Sequence, residues 1–96
     1  MMIIVTAMMH VRTGKKEAFI LETKDLISAT RKEEGCINYD LLANIEDENA
    51  LVMLERWKDN DSLKKHLKTD QFLQFEVAIE PLLAKGVDIK SYSVDD

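Results

Sequence analysis

Ile37-Asn38-Tyr39-Asp40-Leu41-Leu42-Ala43-Asn44-Ile45, the polar break Glu46-Asp47-Glu48-Asn49, and Ala50-Leu51-Val52-Met53-Leu54-Glu55-Arg56-Trp57 decide the fold. In the first run Ile37, Tyr39, Leu41, Ala43 and Ile45 alternate with Asn38, Asp40, Leu42 and Asn44. That is the period at which a strand sends successive side chains to opposite faces. The break has turn chemistry and the second run resumes as a strand, so the pair reads as a hairpin with a four- or five-residue loop. The second run is apolar on both sides, with Leu51 and Met53 on one face and Ala50, Val52 and Leu54 on the other.

Toward the N-terminus, Ile3 to Val11 are apolar and rich in β-branched residues up to Thr13-Gly14, a strand and a turn. Lys15 to Glu34 contain no Gly or Pro, and Phe19, Thr23, Leu26, Ile27 and Thr30 fall on one helical stripe. This predicts a helix of about five turns, stopped at Gly35, where a left-handed residue carries no Cβ penalty. Toward the C-terminus, Asp59, Asn60, Asp61 and Ser62 are N-cap candidates for a short helix running to about Leu67, and Thr69 caps a second. Phe72, Phe75, Ile79 and Leu83 form that second helix's stripe; Pro81 shortens its last turn and Gly86 ends it. Val87 to Val94 make a half-polar last strand, with Asp95-Asp96 an expected frayed end.

The order is β-α-β-β-α-β, the split βαβ arrangement of a ferredoxin-like α+β domain over residues 1–96. Two helices cover one face of such a sheet, yet strand one still has Ile4 and Met8 on the far side and strand three has Ala50, Val52 and Leu54 there. A second copy is the expected cover, closing two sheets into a dimeric α+β barrel through a two-fold contact.

Composition narrows the function. Ninety-six residues, 46% hydrophobic and 32% charged, make one domain. A net charge of -5 repels phosphate backbones and anionic lipid heads, which argues against nucleic acid and membrane partners. One cysteine, Cys36, allows no internal disulfide, and Met1-Met2-Ile3-Ile4 shows no basic leader, so a cytoplasmic setting is expected. Neither His10 nor His66 has a histidine four residues away, so no metal site is expected. Three glycines form no phosphate cradle, and Cys36, just past a helix stop, reads as a small hydrophobe. Met8, Met9 and Met53 are candidates for an adaptable apolar pocket. His66 lies nine residues after Trp57 and six before Phe72, a spacing that lets an imidazole and two aromatic rings converge where sheet meets helices.

Glu55-x-Trp57, then Leu63, His66, Thr69 and Phe72, resembles the antibiotic biosynthesis monooxygenase family, whose pattern is E-x-W, five residues, L-x-x-H-x-x-T-x-H-F. Ile3 to Ala7, Thr13-Gly14-Lys15, Glu33 to Asp40 and Pro81-Leu82-Leu83 are similar to small quinol monooxygenase-like members as well. The resemblance implies a homodimer with a pocket in each subunit and oxidation of a phenolic or hydroquinone substrate by O2 without flavin, haem or metal. It implies that His66 takes or shares the phenolic proton, that Trp57 and Phe72 flank the ring, and that Asn38 or Tyr39 orients a polar substituent. One residue departs from the pattern: the second histidine is Gln71, which hydrogen-bonds but does not titrate. Haem-degrading cousins use an Asn, a Trp and a His where this chain has Ala7, His66 and Glu76, which argues against haem as substrate. The competing reading is a non-oxidative isomerase or small-molecule binding protein on the same scaffold.

Overall fold

The two strands with the most apolar sequence lie in the middle of the sheet, where both edges are paired. The computed structural model describes residues 1–95; Asp95 is exposed coil, and Asp96, the rest of the expected frayed end, lies outside the described residues. The elements are β1 (Met2–His10), α1 (Lys16–Thr30), β2 (Cys36–Ala43), β3 (Ala50–Trp57), α2 (Asn60–His66), α3 (Asp70–Ile79) and β4 (Asp88–Val94). A 3-10 turn, Glu80–Leu82, joins α3 to the segment before β4. The sheet runs β2-β3-β1-β4 with every pair antiparallel, the ferredoxin-like order.

Register decides which side chains meet the helices. Val5 lies opposite Glu55 on one side and Ser91 on the other, and Ala7 opposite Met53 and Ile89. On this face Ile3, Val5, Met9, Leu51, Met53 and Trp57 are buried. Helix α1 closes over them with the stripe its spacing predicted: Phe19, Thr23, Leu26 and Thr30 are buried, and Phe19 meets Phe75 of α3 edge to face at 6.2 Å. The reverse face carries Ile4, Thr6, Val52 and Leu54, half-buried, with Met8, Leu42 and Tyr92 exposed. Both faces of the sheet are therefore apolar.

Four details depart from the sequence reading. Helix α1 stops at Thr30, a turn early, because residues 31–36 tighten into turns that carry Glu33 inward. A bulge between Cys36 and Asn38 places Cys36 opposite Trp57 and Asn38 opposite Arg56, so Ile37 drops out of the alternation and is half exposed. Ile45 falls in the turn and is fully exposed. Helix α3 ends at Ile79, not at Gly86: Pro81 starts a tighter turn, and Leu83, though buried, is extended and bridges Val11.

Gly35 sits at φ +88°, and a Cβ there would collide with the Ser62 side chain of α2. Ser62 and His66 are one turn apart on the buried face of α2, so this close approach sets how α2 docks on the turn holding Glu33. Gly14, at φ +82°, has open space around its missing Cβ. Gly14→Ala is therefore expected to cost about 1 kcal/mol, the left-handed penalty alone, and Gly35→Ala about 2 kcal/mol or more. Urea denaturation midpoints of the two variants check the difference.

Candidate active site

Between the sheet and helices α2 and α3 lies a cavity of about 270 Å³ with a predominantly apolar wall. Val5, Met9 and Met53 form its floor, and Tyr39, Phe72 and Phe75 contribute its rings. Glu55 is also on the floor, because the period that points Leu51 and Met53 at the helices points Glu55 there too. At the far end Glu76, Ile79 and Val87 belong both to this cavity and to a second cleft carrying Arg12, Glu80 and Lys85. The exposed residues of the lining are Leu67, Glu76, Ile89 and Ser91, and the cavity's mouth lies along them.

Behind the cavity wall lies a second layer. Trp57 and His66 have no exposed surface, their rings 4.8 Å apart and tilted by 38°. Tyr39 and Phe72 close around the imidazole at 5.3 and 5.0 Å. The Trp57 indole N–H donates to Glu55 Oε1 at 2.9 Å. His66 Nδ1 is 3.0 Å from Glu33 Oε2, to which Gln71 Nε2 also donates at 3.3 Å. An ionised carboxylate only accepts, so in a neutral ring Nδ1 carries the proton and Nε2 bears the lone pair. Nε2 is buried without a partner. Thr69 pins the layer from below: its hydroxyl donates to the His66 carbonyl at 2.7 Å and accepts from the Phe72 N–H at 3.3 Å, capping α3.

The sequence-predicted residues thus fall into three places. Tyr39, Met53 and Phe72 line the cavity. Trp57, His66 and Gln71 are gathered behind it, in contact with that lining or with Glu33. Asn38 joins neither group; as the neighbour of cavity-facing Tyr39 in regular register it points to the reverse face, exposed and opposite Arg56. Two residues were missed. Glu55 was visible as a carboxylate on the apolar stripe of a central strand, whereas Glu33 reaches His66 across 33 residues and no local spacing announces it.

The electrostatics are those of a dry interior. Burial pushes the Glu55 carboxyl up to about 7, the Trp57 N–H pulling the other way and Glu33 adding to the rise. Burial, with Glu55 and Glu33 nearby, also raises the Tyr39 phenol well above its ordinary range, so it stays neutral. The Cys36 thiol is likewise raised, first by burial and then by Glu33, which disfavours the thiolate a nucleophile needs. Among the described residues no three His, Cys, Asp or Glu side chains are grouped to hold a metal ion, and no helix is long and apolar enough to cross a membrane.

The family model described as antibiotic biosynthesis monooxygenase matches residues 2–78, spanning β1 through all but the last residue of α3. The chain belongs to that family. A relative in it, the Bacillus subtilis (strain 168) protein named "Putative monooxygenase YcnE", is 38% identical over 88 residues, 92% of this chain and 93% of its own. A conserved protein from Methanosarcina mazei Go1 superposes with a TM-score of 0.92 at 37% identity, over 95% of this chain and 90% of that one. Rv0793 from Mycobacterium tuberculosis does so with a TM-score of 0.92 at 25% identity, covering 100% of this chain and 97% of its own. For this antibiotic biosynthesis monooxygenase family member, the matched segment includes the Glu55–Trp57–His66–Phe72 constellation.

The raised Glu55 carboxyl links stability to pH. Below pH 4.5 both folded and unfolded chains hold the proton; between about 4.5 and about 7 the unfolded chain releases it while the folded chain keeps it, so stability falls as pH rises. The loss is on the order of 3 kcal/mol and is complete above about 7. Glu55→Gln, which keeps an acceptor for Trp57, is expected to remove this component and to be the more stable protein at pH 8. Urea denaturation of both proteins at pH 5 and pH 8 checks it.

Proposed function

We propose that this chain is a cofactor-independent monooxygenase that oxidises a phenolic or hydroquinone ring with O2. Family membership supports the reaction class, and the observation that carries the reading is the two-layer site: an aromatic-walled cavity backed by a buried imidazole with a free nitrogen. A deprotonated, electron-rich ring can itself pass an electron to dioxygen. The protein's task is to favour the anion, hold it still and exclude bulk water. With a hydroquinone, one oxygen atom ends on the ring and the other leaves as water, the quinol supplying the electrons.

On this reading the ring lies against Tyr39, Phe72 and Met53, and His66 Nε2 receives the phenolic proton. Nε2 is buried among the Tyr39, Trp57 and Phe72 rings, so on this reading the wall between cavity and imidazole opens for the proton to reach it. Once formed, the imidazolium is held by Glu33 at 3.0 Å and by the Trp57 π-face at 4.8 Å. Gln71 takes no proton; it shares the Glu33 carboxylate and fixes its direction.

The exposed Met8, Leu42 and Tyr92 on the reverse face support a homodimer in which two sheets pack face to face. The single Cys36 fits a cytoplasmic setting.

Dioxygen uptake with a panel of reduced quinones is expected in the wild type, with His66→Ala slower by about 100-fold or more. If no substrate draws down oxygen faster with the wild type than with His66→Ala, the oxygenase reading goes, and ligand binding without uptake then favours the non-oxidative one. Sedimentation equilibrium is expected to give twice the 11.0 kDa chain mass. A persistent monomer at micromolar concentration removes the homodimer.

A further inference from the structure

The cavity's rings give it its shape, but its charges choose the ligand. Two carboxyl groups, Glu55 and Glu76, line it, and no Lys, Arg or His does. Tyr39 is neutral and Ser91 is the remaining polar side chain on the wall. The two carboxyls are not equivalent. Glu76 is exposed at the mouth, where Arg12 and Lys85 of the adjoining cleft are close by. Glu55 is 6% exposed on the floor of the sheet, with Oε1 committed to the Trp57 N–H. One carboxyl group therefore marks the deep end of an otherwise oily chamber.

We propose that Glu55 is the specificity-determining residue of this cavity, hydrogen-bonding the hydroxyl of a neutral one- or two-ring aromatic ligand and excluding carboxylated rings of the same size. Size sets the number of rings: an apolar cavity of ~150 Å³ holds benzene, and this one, at about 270 Å³, takes a bicyclic ring. The sign of charge follows from the wall. An anionic ligand would bring its carboxylate into a low-dielectric space beside Glu55, with Glu33 behind it and no cation to meet it. A hydroxyl avoids that desolvation and has a partner in either state of Glu55, donating to the carboxylate or accepting from the acid. The titratable and hydrogen-bonding groups around Glu55 are Tyr39 and Cys36 from β2, Glu33 from the turn before it, Trp57 on its own strand and Glu76 across the cavity on α3, while His66 of α2 stands behind the Trp57 ring. None of them supplies a fixed positive charge to the cavity.

The inference rests on the proposed placement of the substrate in this cavity, but it is tested by binding and not by turnover. Equilibrium dialysis at pH 7 compares 2-naphthol, 2-methylnaphthalene and 2-naphthoate on the wild-type protein, Glu55→Leu and Glu55→Gln. The wild type is expected to prefer 2-naphthol over 2-methylnaphthalene by about tenfold, the worth of one hydrogen bond in a buried site, and to bind 2-naphthoate most weakly. Glu55→Leu is expected to erase the preference for the hydroxyl while keeping 2-methylnaphthalene binding, which also shows that the cavity is intact. Glu55→Gln is expected to keep the hydroxyl preference and to bind 2-naphthoate better than the wild type does. Equal binding of 2-naphthoate and 2-naphthol by the wild type overturns the proposal, as does a hydroxyl preference that survives Glu55→Leu. If none of the three ligands binds the wild type, both this inference and the placement of the substrate fall. Hydroxyl selection without oxygen uptake leaves the inference standing and removes only the oxygenase reading.

Discussion

An indole N–H sealed from solvent must be given an acceptor, and the inner architecture of this domain follows from how that need is met. Trp57 ends β3 with no exposed surface, and the acceptor is the carboxyl of Glu55 two residues back on the same face. Leaving the N–H unmet would cost about 1–3 kcal/mol. Burying the carboxyl costs a comparable amount, on the order of 3 kcal/mol at neutral pH, so the pair contributes little or nothing to stability. A neutral amide at position 55 would satisfy the indole without that cost. Folding stability alone therefore does not account for an acid at this position.

Around this pair the site is built in two layers with different physics. The front layer, Tyr39, Met53, Phe72 and Glu55, meets the cavity and supplies shape, rings and one hydrogen-bonding point. The rear layer, Trp57, His66, Glu33 and Gln71, is a hydrogen-bonded and stacked assembly that leads from the buried imidazole to a carboxylate near the surface, where Glu33 also borders a cleft with Lys58 and Lys65. Glu33, its side chain 16% exposed, thus links the buried imidazole to that cleft. The rear layer depends on one backbone contact: Gly35 lets α2 come near enough for a carboxylate two residues earlier to meet an imidazole one turn beyond Ser62.

The parts of the fold legible in the sequence were those set by local periodicity. The two-sided apolar run of β3 and the stripe of α1 are one-dimensional patterns, and the structure follows both, α1 ending a turn early. What was not legible arises where distant segments compete with the local pattern. Ile37 looked like a member of the strand's buried face, but pairing with β3 includes a bulge there that leaves it half exposed, whereas Asn38 follows the plain alternation and faces away from Tyr39 and the cavity. Leu83 continued the stripe of α3 by spacing, yet Pro81 ended the helix first and Leu83 reached the same core in extended form against Val11. Glu33 was invisible for the opposite reason: its partner lies on another element, and nothing near it in sequence reports the meeting.

Gln71 shows how a departure from a family pattern is read once the neighbours are known. As a bare substitution of an amide for an imidazole it suggests a lost proton carrier. In place, its side chain donates to the same Glu33 oxygen that faces His66 Nδ1, so it acts on the direction of the carboxylate. A second imidazole at that position would compete for the proton held between His66 and Glu33; an amide cannot. The substitution leaves His66 and Glu33 as the facing titratable groups of the rear layer. Gln71 therefore orients the Glu33 carboxylate without placing a second titratable ring beside it.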